Sequence, residues 1–242
     1  MNLLILLAFA IAPGVCIAIF IYLKDKHERE PIGLLVKSFF YGMGSVLITL
    51  IISVPLSKFI SLDEQDLSQQ AVHAFIIVAL VEEFSKYIFV RGILYRNPNF
   101  NEPFDGIVYS VMVSMGFATL ENVMYVKDGG WSVAVLRMFT AVPAHASFAV
   151  LMGYYLGLAK FVHHKSYYGW VGLGIATLFH GAYDYFWFIA QVNGVWAGIW
   201  LGAIVSLVFG IQLSRKAIKI HQDTSPFQNR PMTAEEANPE QS

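Results

Sequence analysis

The chain has 242 residues, 56% of them hydrophobic and only 14% charged, with a formal net charge of -1. Soluble domains carry about 25% charged residues, so this deficit, with a positive mean hydropathy, excludes an ordinary soluble domain and points to lipid. The near-zero charge leaves no electrostatic footprint for nucleic acid. The one cysteine, Cys16, excludes an internal disulfide and a multi-cysteine zinc site.

A helix needs about 20 apolar residues to cross the hydrocarbon core. The first stretch that qualifies is 3–23. No Lys or Arg precedes Lys24 and no clean small-x-small cleavage site lies before that lysine, so it reads as a membrane helix rather than a cleaved secretory signal. Pro13-Gly14-Val15-Cys16 faintly resembles a lipoprotein cleavage box, with an unfavourable valine before the cysteine; Cys16 reads instead as a small apolar residue. Further spans are expected near 33–54, 71–91, 105–126, 133–158, 169–190 and 194–214, which makes an all-α, polytopic bundle of about seven helices. Gln191-Val192-Asn193-Gly194 is a tight turn between the last two.

Basic residues set the expected orientation. Lys24, Lys26 and Arg29 follow the first helix, Arg91 and Arg96 the third, Lys160 and Lys165 the fifth, and Arg215, Lys216 and Lys219 the seventh. The alternate loops are poor in them. The N-terminus is therefore expected outside and the C-terminus in the cytoplasm. Residues 1–214 form the membrane domain and 215–242 a cytoplasmic tail. From about 221 that tail is too polar to bury a core, and disorder is expected there.

Polar residues interrupt the apolar spans at a few places. Glu82, Glu83 and Lys86 lie in the third, Glu121 and Asn122 late in the fourth, His145 in the fifth, and His180 and Asp184 in the sixth. Each ionised group near a helix centre costs about 2.5–3.5 kcal/mol even on a mild scale, so these side chains are expected to face one another inside the bundle. Glu82 and Lys86, like His180 and Asp184, are spaced i,i+4 and share a helix side. At 1.5 Å per residue, Glu82, His145 and His180 fall about 15–18 Å below the outer helix ends. Singly, each has a bland explanation: Glu82–Lys86 as an ion pair setting register, His145 as an interhelical hydrogen bond, His73 as a surface histidine, and His163 and His164 as solvated loop residues. Their joint occurrence on four helices at similar depth favours chemistry.

The ordered set Glu82-Glu83-Phe84-Ser85-Lys86, Phe117-Ala118-Thr119-Leu120-Glu121-Asn122, His145-Ala146-Ser147-Phe148 and His180-Gly181-Ala182-Tyr183-Asp184 resembles the PrsW family of bacterial intramembrane proteases, over roughly residues 1–214. The stretch Lys24–Pro31 is similar to the same family. That family is similar in turn to the CAAX-processing and bacteriocin-immunity membrane proteases. The resemblance implies a multi-pass enzyme of the bacterial cell membrane. It would make the first, extracytoplasmic cut in a single-span anti-sigma factor of the RsiW type, so that a sigma factor is released under envelope stress.

In such a site Glu82 or Glu83 serves as general base. His145, His180 and Asn122 supply oxyanion donors or the leaving-group proton, Asp184 orients His180, and Glu121 and Lys86 complete the set. A metal-free glutamate site is the favoured expectation. A divalent metal such as zinc, held by His145, His180 and one of Glu82, Glu83 or Glu121, is the alternative, although the compact His-Glu-x-x-His signature is absent. A proton-coupled transporter and a non-catalytic scaffold remain rivals, and whether a co-expressed single-span partner is shortened separates them from a protease.

Overall fold

The computed structural model describes residues 3–60, 62–162 and 165–228. Among these it is all-helical, without strands. Helix α1 spans Leu3–Lys24 and α2 Ile32–Phe59. A third long helical stretch opens as α3 (Leu67–Val72), widens into a π-helix over His73–Leu80 and continues as α4 (Val81–Gly92). Then come α5 (Pro103–Phe139), α6 (Ala141–Gly157), α7 (Tyr167–Ile189) and α8 (Leu201–Asp223). Four stretches are long and apolar enough to cross a membrane: Leu4–Lys24, Ile32–Phe59, Pro103–Val162 and Ala197–Asp223. The third of these, 60 residues long, contains both α5 and α6.

Local chemistry explains where the elements start. Asp66 caps α3, its Oδ1 accepting from the backbone N–H groups of Ser68 (2.8 Å) and Gln69 (3.1 Å). A reciprocal capping box between Glu102 and Asp105, with Pro103 at the first turn, starts α5. Between α7 and α8, Gly194 takes φ +79°, the chain reversal expected from Asn193-Gly194.

Helix α5 is the axis of the bundle, and from Pro103 to Thr119 its residues are buried all round. It reaches that density through close backbone approaches. A Cβ on Gly153 of α6 would stand 2.2 Å from the carbonyl oxygen of Gly106, and one on Gly116 would stand 1.8 Å from that of Phe39 on α2. Small residues at such crossings are how helices gain contact area where lipid offers no hydrophobic drive.

Two expectations need correction. The span placed at 133–158 starts later: α5 runs through to Phe139 across a kink at Gly130 (φ 63°, ψ -150°), and the next helix begins at Ala141. Hydropathy placed the break between spans at 127–132, where the helix only kinks at Gly130, a conformation that glycine adopts freely, and resumes as far as Phe139. The last helix, expected to end near 214, continues to Asp223. The Gln222 side chain there donates to the Lys24 carbonyl and ties the end of α8 to the end of α1. His163 and His164, and the tail from 229 onward, lie outside the described residues.

Candidate functional site

The four helices α4, α5, α6 and α7 each bring polar side chains to one buried point. Glu83, Lys86, His145 and His180 are 1–4% exposed, and Glu82 is 7% exposed. The Lys86 Nζ lies at the centre, 2.7 Å from Glu83 Oε1, 3.5 Å from Glu82 Oε2 and 3.3 Å from His145 Nδ1, with the Phe117 ring beneath it at 4.0 Å. The sequence spacing pairs Lys86 with Glu82, but its shorter contact is to Glu83.

The two glutamates therefore differ in environment, as their ~100° separation around the helix requires. Glu83 Oε1 accepts from Lys86 and lies 2.9 Å from His180 Nδ1. Among the described residues, Glu82 makes no hydrogen bond through Oε2, whereas Glu83, although its Oε2 is likewise without a partner, is held through Oε1. The neighbours of Glu82 Oε2 are Lys86 and, at 3.9 Å, His180 Nε2. Glu82, and not Glu83, lines a cavity of about 420 Å³ with His145, His180, Glu121 and Asp184. A second cavity of about 260 Å³, on the α2 side, shares Glu82, Glu121, His73, Val78 and Tyr125 with the first. Glu82 thus stands between two openings.

Each histidine is oriented by carboxylates. His145 Nε2 lies 3.0 Å from Glu121 Oε2, and His180 Nε2 lies 3.2 Å from Asp184 Oδ2. Because the Lys86 ammonium can only donate, His145 Nδ1 accepts from it and Nε2–H donates to Glu121. The His180 ring stacks on Phe148 with centroids 5.0 Å apart, which fixes its plane. Ser114 Oγ donates to the His145 carbonyl at 3.0 Å, and Thr49 donates to Ser85 at 3.0 Å, joining α2 to α4.

Arg137 was missing from the sequence reading. It sits beyond the Gly130 kink and returns to the cluster, its Nη2 2.6 Å from Glu121 Oε2 and its Nε 2.7 Å from Asn122 Oδ1. Glu121 is thereby committed to Arg137 and His145. Asn122, a proposed oxyanion donor, is turned to Arg137 and does not line the cavity. An arginine inside an expected span was a visible signal, and charge at that depth warrants a partner. His73, taken for a surface histidine, is half-buried at the mouth of both cavities and stacks on Phe188 at 4.9 Å.

The same donor set suits a divalent metal once Lys86 gives up His145 Nδ1, the ring nitrogen left over when Nε2 donates to Glu121. Ligand atoms of Glu82, His145 and His180 lie within 4.8 Å of one another, and two histidines plus one glutamate are a catalytic zinc set. The unpartnered Glu82 oxygen is available, and each imidazole has a carboxylate on a ring nitrogen, Glu121 for His145 and Glu83 for His180. That outer carboxylate is the usual companion of a metal-binding histidine.

Comparison with known proteins agrees with this arrangement. Residues 30–211 match the family model described as PrsW family intramembrane metalloprotease. The chain is 36% identical over 200 residues to a Protease PrsW of Geobacillus kaustophilus, covering 82% of this chain and 87% of the relative. It is 33% identical over 219 residues to one of Bacillus subtilis (89% and 97%), and 32% identical over 217 residues to one of Clostridioides difficile (87% and 89%). No solved structure matches the chain. With the family model and these relatives spanning most of its length, the chain belongs to the PrsW family of intramembrane proteases.

Proposed function

We propose that the chain is a glutamate-centred endopeptidase that makes the first, extracytoplasmic cut in a single-span anti-sigma factor of the RsiW type, leading to sigma-factor release under envelope stress. The observation that carries the reading is Glu82: buried, without a hydrogen-bond partner, and standing where two cavities meet among two histidines and a lysine. Seven spans, an outside N-terminus and a cytoplasmic C-terminus fit the alternation of basic residues along the chain. The protease domain, expected over 1–214, then extends with α8 to Asp223, and the cytoplasmic tail follows it. This orientation puts the cluster in the middle and outer half of the membrane, consistent with a cut toward the outer face.

In this mechanism Glu82 takes a proton from a water as the water oxygen attacks the scissile carbonyl carbon. His180, held by Glu83 and Asp184, lines the cavity and faces the developing oxyanion, while Lys86 adds its positive charge from behind the cavity wall. The proton then passes to the leaving nitrogen as the C–N bond breaks, giving an acid and an amine. Glu83 and Glu121 do not touch the substrate; they hold Lys86, His180 and His145 in position.

The metal reading has its own support in the carboxylate-backed histidines. There Glu82, His145 and His180 would hold a divalent ion such as zinc, which when bound activates water and polarises the carbonyl. The test of function is co-expression with a tagged single-span anti-sigma factor. A shortened fragment is expected with the parent protein and not with Glu82→Gln. An intact partner in both would refute the protease reading and favour a transporter or scaffold.

A further inference from the structure

The C-terminal halves of α1 and α8 leave a groove over α5 and α6 of about 560 Å³ that runs from Pro143, Ala146 and Ser147, beside His145 in the chain, to the ends of α1 and α8, within the ~300–1,000 Å³ range of ligand sites. Its walls are apolar, with Ile17, Phe20, Val150 and Ile211 among them. Its mouth carries three cations, Lys24, Arg215 and Lys219, and no Asp or Glu lines it. Among the described residues none of the three makes an ion pair. Lys24 lies over the Phe20 ring at 5.3 Å. The neighbouring carboxylate, Asp25, is buried on the other side among Glu28, Glu102 and Asp105 and does not line the groove.

We infer that this groove is a binding site for one anionic phospholipid, its acyl chain along the apolar walls and its phosphate among Lys24, Arg215 and Lys219. Basic residues at the inner ends of membrane helices serve orientation by themselves. Here a concave apolar wall joins them to a chain-sized space, and basic pockets between membrane helices are where acidic headgroups are held. The occupant is a lipid rather than free phosphate because most of the groove surface is apolar and lies along two apolar membrane-spanning stretches, Leu4–Lys24 and Ala197–Asp223.

The purified full chain, in detergent with phosphatidylglycerol or phosphatidylcholine of identical acyl chains, is examined by native mass spectrometry for retained lipid. Each cation near a headgroup is worth roughly fivefold, so a preference for phosphatidylglycerol of at least about tenfold is expected. K24Q/R215Q/K219Q erases it. K26Q/K165Q/K216Q, the same charge change at exposed positions outside the groove, keeps it. Ala146→Trp, which fills the groove floor, lowers retention of both lipids. Equal loss in the two triple variants would reduce the effect to a diffuse field. No preference in the parent, or full retention in Ala146→Trp, would equally overturn the site.

Discussion

The two adjacent glutamates should fail in different ways when each is changed to glutamine. In Glu83→Gln an amide oxygen still accepts, but the Lys86 ammonium loses the anion at 2.7 Å and His180 Nδ1 the one at 2.9 Å, both in a site 1–4% exposed. Breaking a buried pair by removing one partner costs about 3–5 kcal/mol, a large share of a total of about 5–15 kcal/mol. Glu82 Oε2 has no hydrogen-bond partner and its nearest cation is 3.5 Å away, so Glu82→Gln should change stability by about 1 kcal/mol or less. Losing a general base should still lower the cleavage rate by about 10²–10⁴.

The assay combines a time course of cleavage of a co-expressed tagged substrate with thermal unfolding of each purified variant in detergent. Expected are an inactive, stable Glu82→Gln and a Glu83→Gln that melts well below the parent. A Glu82→Gln enzyme cleaving within threefold of the parent rate, or a Glu83→Gln protein as stable as the parent, would refute the division of roles argued here.

Other perturbations are equally direct. Arg137→Gln removes the 2.6 Å partner of buried Glu121; it should destabilise by about 3–5 kcal/mol and slow cleavage through His145, and a parent-like melting curve would show Glu121 to be compensated otherwise. Prolonged treatment with a strong chelator should leave cleavage intact if Glu82 acts as a metal-free base. Loss of activity restored by zinc, with one metal per chain by elemental analysis, would establish the His145–His180–Glu82 metal site instead. Gly153→Leu forces a side chain onto the Gly106 carbonyl and should prevent assembly of the α5–α6 pair, read as loss of the folded monomer by gel filtration.

At the opposite end, burial beside Glu102, Asp105 and Glu28 raises Asp25 from 3.8 to about 8. The folded state then binds this proton more tightly than the unfolded state. The group's contribution to stability is full below about pH 4 and lost as pH rises through about 8. Glu30 and Glu102, pushed up to about 7 by burial, act in the same direction. Asp25→Asn should therefore melt higher than the parent at pH 8.5 and lose part of the alkaline decline; an unchanged pH profile would sink this account.

Much of the molecule was legible because the bilayer restricts what a chain can do. Long apolar runs must become helices, and charge within them must find partners, so Glu82, Glu83, Lys86, His145, His180 and Asp184 could be selected before any fold was known. The i,i+4 rule joined His180 to Asp184 correctly, at 3.2 Å. It also paired Lys86 with Glu82, at 3.5 Å, but could not show that Glu83, at i,i+3 on the same helix, comes closer at 2.7 Å. Arg137 was visible as a charge inside a span, but its partner Glu121 was not, because the contact depends on the Gly130 kink, a backbone event that hydropathy does not record. Asp25 and Glu30 lay in the family-like stretch Lys24–Pro31 and Glu102 in a connecting segment, and in neither did spacing reveal that these carboxylates are buried.

Composition and periodicity by themselves determined the solvent, the helical class and the types of residue at the centre, since each follows from local transfer free energy. Tertiary structure alone decided which of two adjacent glutamates lines the junction of the cavities with only the longer ion pairs, and which is consumed in hydrogen bonds to Lys86 and His180. That choice rests on side chains from four helices meeting within about 4 Å, where a rotation of one residue along α4 exchanges a lining position for a buried pair.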